Sequence, residues 1–298
     1  MITFSVLALA LNVFSALGHH LQPVSRGLTL ISSSRGCATE ISAAHKDAVE
    51  ADFAARRAGL AAKKAAAITI PTYLHVVRHT TTLAGGDIPD SQITAQMAVL
   101  NAAFANTSYT FQLVETTRTT NSSWFRRASP FGDGLLYQNA MKAALRRGGP
   151  ETLNLYSVGF TDDEGLLGYG TFPSEYEEAP QDDGVVFLYS TVPEGTQEPY
   201  NLGGTVQHEV GHWVGLYHTF NEGDLANTCD GSSDLVDDTP IQRWPTGGCP
   251  TRSDTCPEVD GDDPIHNYMD YSDDICYDNF TPGQVERIAA QLSVYRGL

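Results

Sequence analysis

The sequence predicts an α/β domain of two unequal lobes, and three observations predict it. From Ile68 to Tyr189, runs of β-branched and aromatic residues alternate with segments of helical period. Between Glu222 and Asp278 that periodicity gives way to Pro, Gly, Asp and Cys, with 15 acidic residues against 2 basic ones. From Thr281 the chain closes on a capped amphipathic stretch. The 298 residues, 41% hydrophobic and 18% charged, suffice for a sizeable core. They match neither a disordered polyelectrolyte nor a protein of many membrane spans.

In chain order, Ile2 to Leu17 is apolar except for Thr3, Ser5, Asn12 and Ser15. That is short for a membrane span and suits the hydrophobic region of a signal peptide, although no basic residue precedes it. Ala16-Leu17-Gly18 then places small residues at alternate positions, so residues 1–18 are expected to direct secretion and be removed. Sequons at Asn106, Asn121 and Asn279 are compatible with a glycosylated, secreted protein. Residues 19–67 form a Ser/Gly-rich piece followed by an Ala-rich, helix-favouring run from Glu40 to Ala67 without much of an apolar face. Seven basic residues stand against four acidic ones here, leaving 11 against 32 in residues 68–298. A basic leader on an acidic body reads as a pro-segment; Arg56-Arg57 and Lys63-Lys64 are either processing sites or solvated helix charges.

The body opens with ITIPTYLHVVRH as a strand. Asp90 or Ser91 then caps a helix with Ile93, Met97, Leu100 and Phe104 on one face. Further strands are expected at Tyr109 to Glu115, Thr152 to Val158 and Val185 to Tyr189, with a helix from about Leu136 to Arg147. At the end, Thr281, Pro282 and Gln284 form a cap, a first-turn proline and a capping-box partner for a helix burying Val285, Ile288, Leu292 and Tyr295. The formal charge of −18 disfavours nucleic acid and anionic membranes as partners and favours cationic ligands. Cys229, Cys249, Cys256 and Cys276 form an even set in an expected oxidising compartment, which predicts two disulfides with three possible pairings. Cys37 is the odd thiol.

The chemistry is concentrated in His208-Glu209-Val210-Gly211-His212-Trp213-Val214-Gly215-Leu216-Tyr217-His218. On a helix, positions i and i+4 lie on one face, so His208 and His212 can present imidazoles to one metal. Glu209 beside them is placed to take a proton from water at that metal. Gly215 can adopt the left-handed conformation that ends the helix and brings His218 round as a third ligand. Three neutral nitrogens with an open fourth position describe catalytic zinc. The histidines at 19, 20, 45, 75, 79 and 266 have no ligand spacing and read as structural or surface residues. The competing readings are a secreted binding module with zinc as a fold staple and a zinc hydrolase of small amides.

This HExxHxxGxxH pattern resembles the metzincin metalloproteases, and Asn267-Tyr268-Met269-Asp270-Tyr271 resembles their Met-turn. The resemblance implies Met269 as an apolar floor under the histidines and Tyr271 as a stabiliser of the tetrahedral intermediate. The contexts YNLGGTVQHEVGHWVGLYHTF, VDDTP, PIHNYMDYSDD and FTPGQ are similar to the pappalysin branch, particularly small secreted fungal metalloproteases. That implies an endopeptidase acting on proteins or peptides through residues 68–298. It also implies an upper lobe with a mixed twisted sheet, a backing helix and the active-site helix, and an irregular lower lobe with a C-terminal helix. The pairings Cys229 with Cys256 and Cys249 with Cys276 follow from the same resemblance. So does a latency role for Cys37, although Ala38 stands where Gly would be usual; the alternative is an incidental thiol. Asp274 stands where a basic-specific relative carries the acid of its S1′ pocket, implying a preference for Arg or Lys after the scissile bond. LLGYGTF, within Gly165 to Phe172, resembles the rim along which a substrate adds as a strand. The resemblance also implies structural calcium in the acidic lower lobe, with Glu222, Asp224, Asp230, Asp237 and Asp238 as candidates; the alternative is a plain solvated acidic loop.

Overall fold

A computed structural model describes residues 35–59, 67–232 and 234–298. The expected signal peptide, His19, His20 and the Lys63-Lys64 pair lie outside the described residues. Among the described residues the regular elements are α1 (Ala43–Ala58), β1 (Ile68–Arg78), α2 (Asp90–Ala103), β2 (Tyr109–Thr120), α3 (Ser122–Arg127), α4 (Gly134–Leu145), β3 (Leu153–Val158), β4 (Gly168–Gly170), β5 (Val185–Leu188), α5 (Gly204–Trp213) and α6 (Pro282–Gln291). No described helix is long and apolar enough to cross a membrane.

The upper lobe is a five-stranded sheet in the order β2-β1-β3-β5-β4, parallel except for the antiparallel edge strand β4. Alternation decides its two faces. Ile70, Leu74 and Val76 of β1, with Leu153 and Leu155 of β3, face the core shared with α2 and α5. Val77, Tyr156 and Val158 face a second core with Phe125 of α3 and Met141 and Leu145 of α4. Covered on both sides, β3 is buried at every position, as central parallel strands are.

The amphipathic helix predicted from Ile93, Met97, Leu100 and Phe104 is α2, which packs against α5. Asp90 is its first residue but not its cap. The carboxylate instead accepts a 2.6 Å bond from Arg118 of β2, a long-range partner that outcompetes local capping. The strand expected to stop at Glu115 continues to Thr120, since pairing with β1 carries its polar end along the edge. The helix expected from Leu136 begins two residues earlier and ends at Leu145. His75 is structural, buried between Thr117 at 2.8 Å and Asn154 at 3.1 Å, and burial lowers its pKa to about 4.

The lower lobe is irregular and joined by Cys229–Cys256 and Cys249–Cys276, the pairing that the resemblance implied. Buried carboxylates hold its loops: Asp270 accepts from Gln242 and from the Thr246 amide, both at 3.0 Å. The predicted capping box forms, Gln284 N donating to Thr281 Oγ1 at 3.1 Å and Thr281 N to Gln284 Oε1 at 2.9 Å. A π-helical turn, Leu292–Arg296, then carries Arg296 into the upper lobe. There its guanidinium lies 3.7 Å over the Trp213 ring and 2.9 Å from buried Asp183, which also accepts from Trp213 Nε1 at 3.1 Å. The end of α5 is thereby tied to both lobes. Each disulfide spans 27 residues. Replacing Cys249 and Cys276 together with Ser should therefore lower the unfolding free energy by about 2–4 kcal/mol, read from urea transitions under non-reducing conditions.

Candidate active site

Helix α5 is buried along its whole length, and its His208 and His212 lie one turn apart, as the spacing predicts. Gly215 has φ +100°, so the helix stops and the chain reverses to bring His218 back. The three Nε2 atoms converge: His218 Nε2 is 3.1 Å from those of both His208 and His212. Each Nδ1 has its own acceptor: the Tyr268 carbonyl at 2.7 Å for His208, the Leu216 carbonyl at 2.8 Å for His212 and the Glu222 carboxylate at 2.9 Å for His218. Those partners take the Nδ1 protons and leave three Nε2 lone pairs facing one another. Burial and mutual repulsion push the pKa values of His208 and His212 well below the usual range, keeping both rings neutral. Facing lone pairs in a buried space are unfavourable unless a cation lies between them, so the donor set fits zinc. Cys37 Sγ joins these nitrogens in a group spanning less than 4.8 Å, the one metal-competent cluster of three or more such residues among the described residues.

Met269 is fully buried beneath the helix. A Cβ at Gly211 would approach its sulfur to 2.2 Å, so the close fit requires glycine there. Tyr271 lies beside the histidines, with ring centroids 5.0 Å from His218 and 5.6 Å from His208. Desolvation and the charge of Cys37 push its phenol well above its ordinary range.

Residues 35–39 lie across this cluster. Leu167 N donates to Gly36 O at 2.7 Å and Ala38 N to Gly168 O at 3.0 Å, so the segment adds to the outer edge of β4, parallel to it. Cys37 Sγ is 3.5 Å from Glu209 Oε2 and 3.6 Å from His212 Nε2. Thr39 Oγ1 donates to Glu209 Oε2 at 3.0 Å and accepts from Gly170 N at 2.8 Å. Burial raises Glu209 to about 7, against these hydrogen bonds, and pushes the Cys37 thiol well up with the help of the Glu209 charge. A bound divalent cation would reverse the pressure on the thiol.

Asp274 is buried at the N-terminus of α5, where Leu202 N and Gly204 N donate to its Oδ2 at 2.8 and 3.0 Å. Its Oδ1 accepts from Arg35 at 2.5 Å. The Arg35 guanidinium also reaches Thr205 Oγ1 at 3.1 Å and the Ser272 carbonyl at 3.2 Å, with Tyr200 and Tyr277 rings 4.7 Å from it. Arg35 and Thr39 escaped the reading of the sequence as site residues, and Glu222, expected there only as a calcium candidate, instead bonds His218. Arg35 and Thr39 each stand two residues from Cys37, the one local signal that could have raised them. The calcium candidates are not brought together. Glu222 orients His218, exposed Asp238 accepts from Thr281 Oγ1 and Gly283 N at the start of α6, and Asp224, Asp230 and Asp237 are exposed.

A sequence profile of the peptidase family described as pregnancy-associated plasma protein-A matches residues 154–293. An extracellular metalloprotease of Colletotrichum graminicola is 47% identical over 272 residues, covering 88% of this chain and 91% of that protein. The chain belongs to this pappalysin family. Pappalysins are metzincins, and this member is a zinc metalloendopeptidase by kinship as well as by donor set. An extracellular metalloprotease of Pyricularia oryzae is 44% identical, with 83% of this chain and 82% of the relative covered. Among solved structures, a promirolysin mutant of Tannerella forsythia matches with a TM-score of 0.72 and 28% identity, covering 88% of this chain and 95% of that one. Mature mirolysin in complex with a cleaved peptide matches with a TM-score of 0.62 and 32% identity over 76% of this chain and 91% of that one.

Gly215 carries the turn between the second and third histidines of this pappalysin. A Cβ there would lie 2.5 Å from Gln291 Cγ in a left-handed backbone. Gly215→Ala should lower the unfolding free energy by at least about 1–2 kcal/mol, measured by denaturant titration.

Proposed function

We propose that this pappalysin is a secreted endopeptidase made as a zymogen, with residues 1–18 as signal peptide, 19–67 as pro-segment and 68–298 as catalytic domain. His208, His212 and His218 would hold one zinc, over Met269. The observation that carries this is the convergence of three Nε2 lone pairs beside the Glu209 carboxylate. Zinc bound there supplies a Lewis acid for the scissile carbonyl and for the attacking water. Glu209 takes the water's proton and returns it to the leaving amine. The Tyr271 hydroxyl donates to the developing oxyanion once Cys37 has left. An extended substrate pairs with the edge of β4, the edge that residues 36–38 occupy here. The names of the relatives as extracellular enzymes support secretion.

The pocket around Arg35 supports a preference for Arg or Lys after the scissile bond. It offers a buried carboxylate fixed by two amides, two ring faces and a carbonyl, which suits a guanidinium. Arg35 lies N-terminal to Cys37, whereas a substrate's basic side chain would lie C-terminal to the reacting carbonyl. The pro-segment therefore runs against the substrate direction and offers the machinery no bond in the productive orientation. Cys37 caps the metal position, and Thr39 occupies the base.

The processed enzyme should contain one zinc per chain by elemental analysis and clear gelatin until a chelator is added. Glu209→Ala should retain the zinc and lose at least about 10²-fold in kcat, whereas His212→Ala should lose both. Zinc without cleavage in the processed wild type would sink the reading. On matched peptides, Arg should exceed Leu and Glu at the position after the scissile bond, and Asp274→Ala should lower kcat/KM for Arg by about 30-fold or more. A wild-type preference for Leu would remove Asp274 from this role.

A further inference from the structure

We infer that the catalytic body carries a second binding surface outside the cleft, formed by Tyr217, Arg287 and Tyr295, for a short helix with an acidic and an aromatic residue one turn apart. Through it the N-terminal segment stays attached after the chain is cut between α1 and β1. This rests on the reading of that segment as a pro-segment, but its evidence is separate, because these contacts share no residue with those of Arg35, Cys37 and Thr39.

Helix α1 meets the body along one face. Glu50 accepts from Arg287 at 2.5 and 3.2 Å and from the Tyr217 hydroxyl at 3.0 Å. Phe53, three residues on, is 6% exposed and is the buried residue of a helix otherwise in contact with solvent. Its ring stacks on Tyr295 with centroids 6.1 Å apart, and the Arg287 guanidinium lies 5.7 Å from it. The Tyr295 hydroxyl also donates to Asp52 Oδ2 at 3.1 Å. The opposite flank is open: a cavity of about 760 Å³, lined by Val49, Glu175, Glu177 and Asp182 among others, separates α1 from the loop after β4. The Arg56–Glu177 pair at the far end is solvent-exposed and contributes little. Attachment is therefore concentrated at Glu50 and Phe53.

The body side is preorganised. Arg287 Nε donates to the Gly215 carbonyl at 2.9 Å, which fixes the stem and presents the two terminal nitrogens outward. Two tyrosines and an arginine around a buried aromatic anchor have the composition of a binding hot spot. None of these bonds needs the peptide connection between Gly59 and Ala67. Two anchors on one segment reinforce each other through effective concentration, so a single cut would leave a non-covalent, inhibited complex. Activation would then require a further cut within the segment, or dilution.

The full-length chain supplies its own test, because its lysines are Lys46, Lys63, Lys64 and Lys142. Lys142 is buried and Lys46 lies 4.3 Å from the Tyr217 ring, so a lysine-specific protease should cut at 63 and 64. After the cut, the N-terminal fragment should co-elute with the body at micromolar concentration, identified by mass, and gelatin cleavage should stay below about a tenth of that reached once the fragment is removed. In the Glu50→Ala/Phe53→Ala chain, the concentration of half-release should rise at least about tenfold. In the Arg35→Ala/Cys37→Ala chain, the fragment should still co-elute while a short peptide is cleaved. Immediate loss of the wild-type fragment, undiminished retention in the Glu50/Phe53 variant, or loss from the Arg35/Cys37 variant would each overturn the surface. An uncut chain already fully active would overturn the pro-segment reading, and co-elution would still decide the surface.

Discussion

Three imidazole nitrogens must face one another in a buried space, and most of the structure around α5 serves that requirement. A protonated ring would repel its neighbours, and a wrong tautomer would place a proton where the lone pair has to be. Each Nδ1 therefore needs a fixed acceptor, and the acceptors come from three places: the Tyr268 carbonyl beside Met269, the Leu216 carbonyl in the Gly215 turn, and the Glu222 side chain. The turn through Tyr268 and Met269 is held by Asn267, which accepts from Met269 N and exchanges hydrogen bonds with the buried amide of Gln284 on α6. The C-terminal helix thus supports the histidine cluster through a chain of satisfied polar groups.

The same economy governs the segment across the cleft. A basic leader on a strongly acidic body suggests diffuse attraction, yet the described contacts are few and specific. Arg35 meets Asp274 between two rings, and Glu50 meets Arg287 and Tyr217. In the second pair the segment contributes the acid and the body the base, against the overall charge balance. Net charge sets long-range attraction, whereas desolvated pairs set where the chain settles. Under the proposed latency, Arg35 would model a substrate's side chain while the reversed chain direction withholds a bond to cleave.

Much of the fold could be read locally. The β1, β3 and β5 runs, the apolar face of α2 and the capping box of α6 rest on periodicity and short-range hydrogen bonding, which the sequence displays directly. Polar Thr116–Thr120 and the three-residue strand β4 could not be read in this way, since pairing with a neighbour makes each of them a strand. Asp90 illustrates the reverse case, a good local cap diverted by Arg118.

Within the site, the spacing of His208, His212, Gly215 and His218 already determined one helix face, one turn and a metal chemistry, because helical geometry and the glycine conformation operate over a few residues. The family resemblance added the disulfide pairing that spacing left open. Tertiary structure alone decided that Glu222 orients His218, that Arg35 and Thr39 lie in the cleft, and that Asp183 ties Arg296 to Trp213. These contacts join residues whose separation carries no period, and their strength comes from burial, which exists only once the lobes have closed around them.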